Sequence, residues 1–175
     1  MRPATKHAEQ SQTHQPVRLR NPNLDDGATL WHLAKESNAL DLNSPYAYLM
    51  WCDMFAKTSL VAEVEGLPAA FLMGFHPPGK EEVLFVWQVA VADKYRGRGL
   101  ASRMLDKLVE SSESINAVEA SVTASNLAST KLFHSLALRH GCACSQREFI
   151  SADHFPGPGH ESETIFHIGP IKNNQ

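Results

Sequence analysis

The stretch that most constrains this chain is Leu84–Leu105, LFVWQVAVADKYRGRGLASRML. It opens with an apolar run, Leu84 to Ala92, with the length and β-branched content of a buried strand. The run breaks at Asp93-Lys94-Tyr95 and passes into Arg96-Gly97-Arg98-Gly99-Leu100-Ala101. From Gly99 the apolar period changes. Leu100, Met104 and Leu108 form one row and Ala101, Leu105 and Val109 the next, which predicts an amphipathic helix. A strand, a glycine-bearing loop and a helix N-terminus together make an anion site. The glycines let backbone N–H groups approach a ligand closely, and the helix dipole adds positive potential there. Arg96 and Arg98 strengthen the case for a phosphate or pyrophosphate. The spacing is neither G-x-x-x-x-G-K-[ST] nor G-x-G-x-x-G, since Ser102 stands where a third glycine belongs.

The rest of the chain narrows the class. At 175 residues it reads as one domain, long enough to bury its own core. A net charge of -3 and a pI near 6.3 argue against the basic face of a nucleic-acid binder. No apolar run approaches membrane length, and the N-terminus lacks the hydrophobic centre of a signal peptide. Cys52, Cys142 and Cys144 are odd in number and form no C-x-x-C. They suit reduced thiols in a cytoplasmic protein, not a disulfide framework or a zinc site.

Residues 1–16 are polar and aperiodic, the composition of a disordered tail; with a short tail at 171–175, they leave 17–170 as the domain. Val17–Arg20 predicts a short strand. Asn23 then caps a helix to about Glu36, whose buried face is Leu24, Ala28 and Trp31 beside Leu30, Leu33 and Ala34. Ser44 and Pro45 open a second helix, to about Ala56, and leave Asp41 and Asn43 in the loop before it. Thr58–Glu63 and Leu67–His76 read as strands joined at Val64-Glu65-Gly66. After the central strand and its helix come a strand at Ala117–Thr123 and a helix capped by Ser125 or Asn126, with Ala128, Leu132 and Leu136 facing inward. Strands at Arg147–Ile150 and Glu163–Ile168 close the chain, with a Pro/Gly-rich loop, Asp153–Glu161, between them. The order β-α-α-β-β-β-α-β-α-β-β predicts a mixed α/β fold, a partly antiparallel sheet flanked by helices.

Arg96-x-x-Gly99-x-Ala101 matches [QR]-x-x-G-x-[GA], and the segment resembles the acetyl-CoA loop of the GNAT superfamily of N-acetyltransferases. The element order is also the GNAT order. Further segments, Leu40–Asp53, Leu84–Val91, Thr123–Phe133 and Asp153–Glu161, are similar to the L-2,4-diaminobutyrate acetyltransferases of the ectoine pathway. The resemblance spans roughly residues 17–170. It implies acetyl transfer from acetyl-CoA to the distal amine of L-2,4-diaminobutyrate in a ternary complex, without a metal, by a cytoplasmic homodimer. It also implies roles in the cofactor site. Arg96, Gly97, Arg98, Gly99, Leu100, Ala101 and Ser102 would hold the pyrophosphate, the Val89 and Val91 backbone would align the pantetheine, Val89 N–H would polarise the thioester, and Asn126 would contact the CoA arm.

Such a substrate carries two ammonium groups and a carboxylate, so its site needs acidic or carbonyl partners. Asp41 is the expected ammonium partner, with Asn43 and Tyr46 as neutral neighbours and Trp87 as a wall. The distal amine must also lose a proton before it attacks. Glu161 is the expected base, partly buried at the end of the Pro/Gly loop, with His160 and Asp41 as competitors. His134, His154, His160 and Glu161 lack the spacing of a metal site. Many GNAT enzymes carry a Tyr that protonates the leaving thiolate where this chain has Phe133, which has no proton to give. Two alternatives stay open: a GNAT enzyme for another small diamine or polyamine, and a non-catalytic acyl-CoA-binding module.

Overall fold

The computed structural model describes residues 16–38 and 40–171; the greater part of each expected tail lies outside them. The elements are β1 (Val17–Arg20), α1 (Gly27–Ser37), α2 (Pro45–Met54), β2 (Leu60–Val64), β3 (Leu67–Phe75) and β4 (Val83–Val91). They continue as α3 (Leu100–Glu110), β5 (Ala117–Thr123), α4 (Leu127–Arg139), β6 (Ala143–Ile150) and β7 (Glu163–Gly169). Seven strands form one sheet in the order β1-β2-β3-β4-β5-β7-β6. Only the central β4–β5 pair is parallel. This is the mixed α/β sheet that the sequence predicts.

Helices cover the two faces unequally. Leu30, Leu33, Tyr48 and Trp51 of α1 and α2 pack on Val61, Phe71, Met73 and Ala90 of one face. Leu100, Met104 and Leu105 of α3, with Phe133 and Leu136 of α4, pack on Leu84, Val86, Val118, Ala120 and Phe166 of the other. The α3 face is close to the one its periodicity predicts; only Ala101 is left half-buried.

Four details differ from the sequence expectations. Asn23 caps a 3-10 turn, Leu24–Asp26, not the α-helix itself. Three residues per turn there shift the helical phase, so Leu24 is 54% exposed and Ala28 also faces out. Thr58 belongs to a 3-10 turn at Ala56–Thr58, so β2 starts later, at Leu60. In α4 the buried residues are Phe133, Leu136 and Ala137, while Ala128 is exposed and Leu132 half-buried. Finally, β6 begins at Ala143, four residues earlier than expected. As the sheet's edge it is mostly exposed on both sides, so no apolar alternation marks it in the sequence.

Two irregularities in β4 shape everything that follows. First, β4 and β5 pair only from Val83↔Ala117 to Val86↔Ala120, although each continues along its other neighbour, to Val91 and Thr123 respectively. The strands therefore fork, and among the described residues no strand lies beside the far edge of Trp87–Val91. Second, Met73 pairs with Gln88 and Gly74 with Val86, so Trp87 is an extra residue, a β-bulge. A bulge cancels the alternation of side chains for one step. Leu84 and Val86 face α3, whereas Trp87 and Gln88 both turn toward α2. Gly74 opposite is sterically required, since a Cβ there would lie 2.8 Å from Thr58 O and 3.2 Å from Phe85 O.

Candidate active site

On the α3/α4 side the open edge of β4 borders a cleft of about 540 Å³. Val89, Val91, Arg96, Gly97, Gly99, Leu100, Ala101, Ser102 and Asn126 all line it. Gly97 and Gly99 have φ of +75° and +72°, the left-handed region. A Cβ on Gly99 would meet nothing within 4 Å, so it is backbone conformation that demands glycine here. Gly99 is also the N-cap of α3 and has no capping side chain. The first helical bond runs from Arg103 N–H to Gly99 O. The N–H groups of Leu100, Ala101 and Ser102 precede it and have no partner within the helix. That is an anion cradle made of main chain. Arg98 does not line the cleft; its guanidinium lies 5.1 Å from the Tyr95 ring. Arg96 spans the mouth, donating to Val91 O at 3.4 Å and Ser37 O at 3.3 Å and pairing with Asp93 at 2.9 Å.

At the fork the first cleft adjoins a second one of about 830 Å³, and Leu40, Asn126 and Ala128 line both. Asp41, Asn43, Trp87, His160 and Glu161 line this second cleft. The structure brings these five predicted residues together. It does not bring Tyr46, which is 72% exposed and lines neither cleft. Trp87 is held by a stacked Trp51, ring centroids 4.2 Å apart. His160 stacks on Phe155 at 4.6 Å. Glu161 is exposed, and its Oε2 accepts the Ser125 N–H at 3.1 Å.

Glu163 also lines this cleft, and sequence reasoning missed it. It is half-buried, and its Oε2 is the one buried side-chain oxygen or nitrogen without a hydrogen-bond partner among the described residues. Burial pushes its carboxyl above the ordinary range; a hydrogen bond with Ser121 opposes this, and the nearby Asp41 and Glu161 charges add to it. The partial burial expected of Glu161 thus belongs to Glu163. Glu163 opens β7 and reads in the sequence as a strand residue, yet Glu161 and Glu163 are two apart, a spacing that aims extended side chains the same way.

Phe133 is buried against Phe166 and lines neither cleft. Among the described residues no group of three or more His, Cys, Asp and Glu is placed to hold a metal ion, and no helix is long and apolar enough to cross a membrane.

This geometry has close parallels. Residues 27–137 match the acetyltransferase (GNAT) family model. The L-2,4-diaminobutyric acid acetyltransferase of Oceanobacillus iheyensis is 42% identical over 90% of each chain. That of Streptomyces avermitilis is 40% identical over 97% of each. Among solved structures, diaminobutyrate acetyltransferase EctA from Paenibacillus lautus, in complex with L-2,4-diaminobutyric acid and coenzyme A, superposes with a TM-score of 0.87 at 38% identity, covering 92% of this chain and 99% of that one. A cradle of main-chain donors beside an open strand edge, with these relatives along nearly its whole length, leaves one conclusion: the chain belongs to the acetyltransferase (GNAT) family and stands among its diaminobutyrate acetyltransferases.

Proposed function

We propose that this chain transfers the acetyl group of acetyl-CoA to the 4-amino group of L-2,4-diaminobutyrate, the step that prepares ectoine synthesis. The observation that carries this reading is the clustering of Asp41, Glu161 and Glu163 in one cleft across the fork from the open edge of β4. A substrate with two ammonium groups suits such a cleft, and an acyl donor suits the backbone edge.

In this reading Leu100, Ala101 and Ser102 N–H groups, with Arg96 swung out of its bridge, hold the pyrophosphate. Val89 and Val91 pair with the pantetheine as an added strand would. Asn126, whose Oδ1 caps α4 by accepting Ser129 N–H, contributes to the CoA arm. Asp41 and Glu161 hold ammonium charge, Asn43 contributes a neutral hydrogen bond, and Trp87 walls the amine. His160 guards the rim. Glu163 takes the distal ammonium's proton, since a carboxyl raised by burial is a better proton acceptor than an ordinary one. The freed amine nitrogen bonds to the acyl carbon, whose oxygen accepts from Val89 N–H. The C–S bond then breaks and the thiolate leaves. Its proton comes from water or from the new ammonium centre, because Phe133 is buried in the core and carries none.

The domain is residues 17–170 working as a homodimer, to be checked by sedimentation. Free Cys52, Cys142 and Cys144 and the demand for acetyl-CoA fit the cytoplasm. The deciding experiment incubates the protein with acetyl-CoA and L-2,4-diaminobutyrate and assigns the product by NMR. The expected outcome is N4-acetylation. Acetylation only at the 2-amine, or faster turnover of a polyamine, overturns the reading.

A further inference from the structure

The bulge at Trp87 turns Gln88 away from α3 and into the α2 side, where it is 6% exposed. Its amide has one role for each end. Nε2 donates to the Asp41 carbonyl at 2.9 Å, and Oε1 accepts from the Tyr48 hydroxyl at 2.9 Å. A carbonyl only accepts, so the amide has a single productive orientation. Tyr48 is 1% exposed, and the other side of its hydroxyl meets the backbone and side chain of Asn43. Trp31 Nε1 donates to Asn43 O at 3.1 Å. The short loop that carries Asp41 and Asn43 is therefore tied from beneath by Trp31 on α1, Tyr48 on α2 and Gln88 on β4. Asp41 itself is exposed and has no helix or strand to fix it.

We infer that Gln88 is a positioning residue for the amine substrate: with Tyr48 it fixes the backbone at Asp41, and through it the place where the ammonium is bound. Its neighbours on β4 have the adjoining tasks, Trp87 as wall and Val89 as donor to the thioester oxygen. The bulge is what allows three consecutive residues to serve one reaction. In regular alternation Gln88 would face α3, and Asp41 would lose its anchor.

The inference rests on the proposed role of Asp41 as ammonium partner, so wild-type protein is the first control. Gln88→Leu keeps the volume and removes both hydrogen bonds. KM for L-2,4-diaminobutyrate is expected to rise about tenfold, what one to two buried hydrogen bonds are worth, with kcat within about twofold. Coenzyme A affinity by calorimetry stays at the wild-type value. Tyr48→Phe, which removes one hydroxyl, is expected to raise the same KM about threefold and carries the test if Gln88→Leu fails to fold. In an Asp41→Asn background the Gln88→Leu effect shrinks below about twofold, because both act on one contact. Multiplicative effects, or a fall in kcat and in coenzyme A affinity alongside the rise in KM, overturn the inference. No turnover by wild-type protein overturns the proposed function instead, and with it the role of Asp41.

Discussion

The cofactor cleft presents backbone. Its donors are the N–H groups of Leu100, Ala101 and Ser102 and the unpaired edge of β4, shaped by two glycines at positive φ. The amine cleft presents side chains. Asp41, Trp87, Glu161 and Glu163 arrive from a loop, a bulge, the end of a second loop and the start of a strand. A backbone site accepts many side chains but few conformations, whereas a side-chain site tolerates backbone adjustment but not a change of charge. The first suits a cofactor arm common to a whole family, and the second suits the one amine that a member must select.

Substitution separates the two modes, and the largest effect is expected in the amine cleft. Glu163→Gln keeps shape and removes the proposed proton acceptor, so kcat should fall by about 10²–10⁴. In the wild type, kcat/KM should lose activity as pH falls through a value above the ordinary carboxylate range, and the variant should lack that limb. Glu161→Gln still accepts from Ser125 N–H and should keep the limb. If Glu161→Gln abolishes it instead, the base is Glu161. Next, Asp41→Asn removes one charge-assisted hydrogen bond, and KM for the diamine should rise by about 1.5–3 kcal/mol, with coenzyme A affinity unchanged. Unaltered kinetics would return Asp41 to the loop.

The cofactor cleft should respond to conformation. Gly99→Val forces a β-branched residue to φ +72° and should weaken coenzyme A binding at least about tenfold, or 1.4 kcal/mol. Serine substitutions at Arg96 and Arg98, by comparison, leave the backbone donors in place and should cost less. Calorimetry finding Gly99→Val the milder change would break the distinction between the clefts.

The smallest effect is on stability. A carboxyl whose folded pKa is raised binds its proton more tightly in the folded state. Glu163 therefore costs stability at neutral pH, and the cost fades as pH falls through its folded pKa and is gone below the unfolded one. Thermal melts of Glu163→Gln should run above wild type at pH 7.5 and converge with it as the pH is lowered. Parallel melts at every pH would remove the linkage.

The same distinction explains what the sequence disclosed. The main-chain cradle of the cofactor cleft is local: strand, loop and helix start fall within Leu84–Leu105, and the change of apolar period marks them. The amine cleft is assembled across more than a hundred residues, from Asp41 to Glu163. Asp41, Asn43, Trp87, His160 and Glu161 were legible through family resemblance, yet Tyr46 proved to face solvent while its helix neighbour Tyr48 faces inward. Glu163 and Gln88 were hidden because each looks like an ordinary strand residue. What distinguishes them is an orphaned oxygen in one case and a bulge in the other, neither of which has a composition. Edge strand β6 was shortened for a related reason, since a strand that buries neither face writes no alternation.

The fork between β4 and β5 also governs traffic. Because the clefts share only Leu40, Asn126 and Ala128 in their linings, the proposed assignment gives each substrate a doorway of its own. Neither has to enter past the other, and neither product has to wait for the other to leave. Saturation with one substrate should then leave the other's path clear, so inhibition by spent coenzyme A is expected to be relieved by acetyl-CoA and not by excess diamine. A sheet that failed to close has become a passage with two ends.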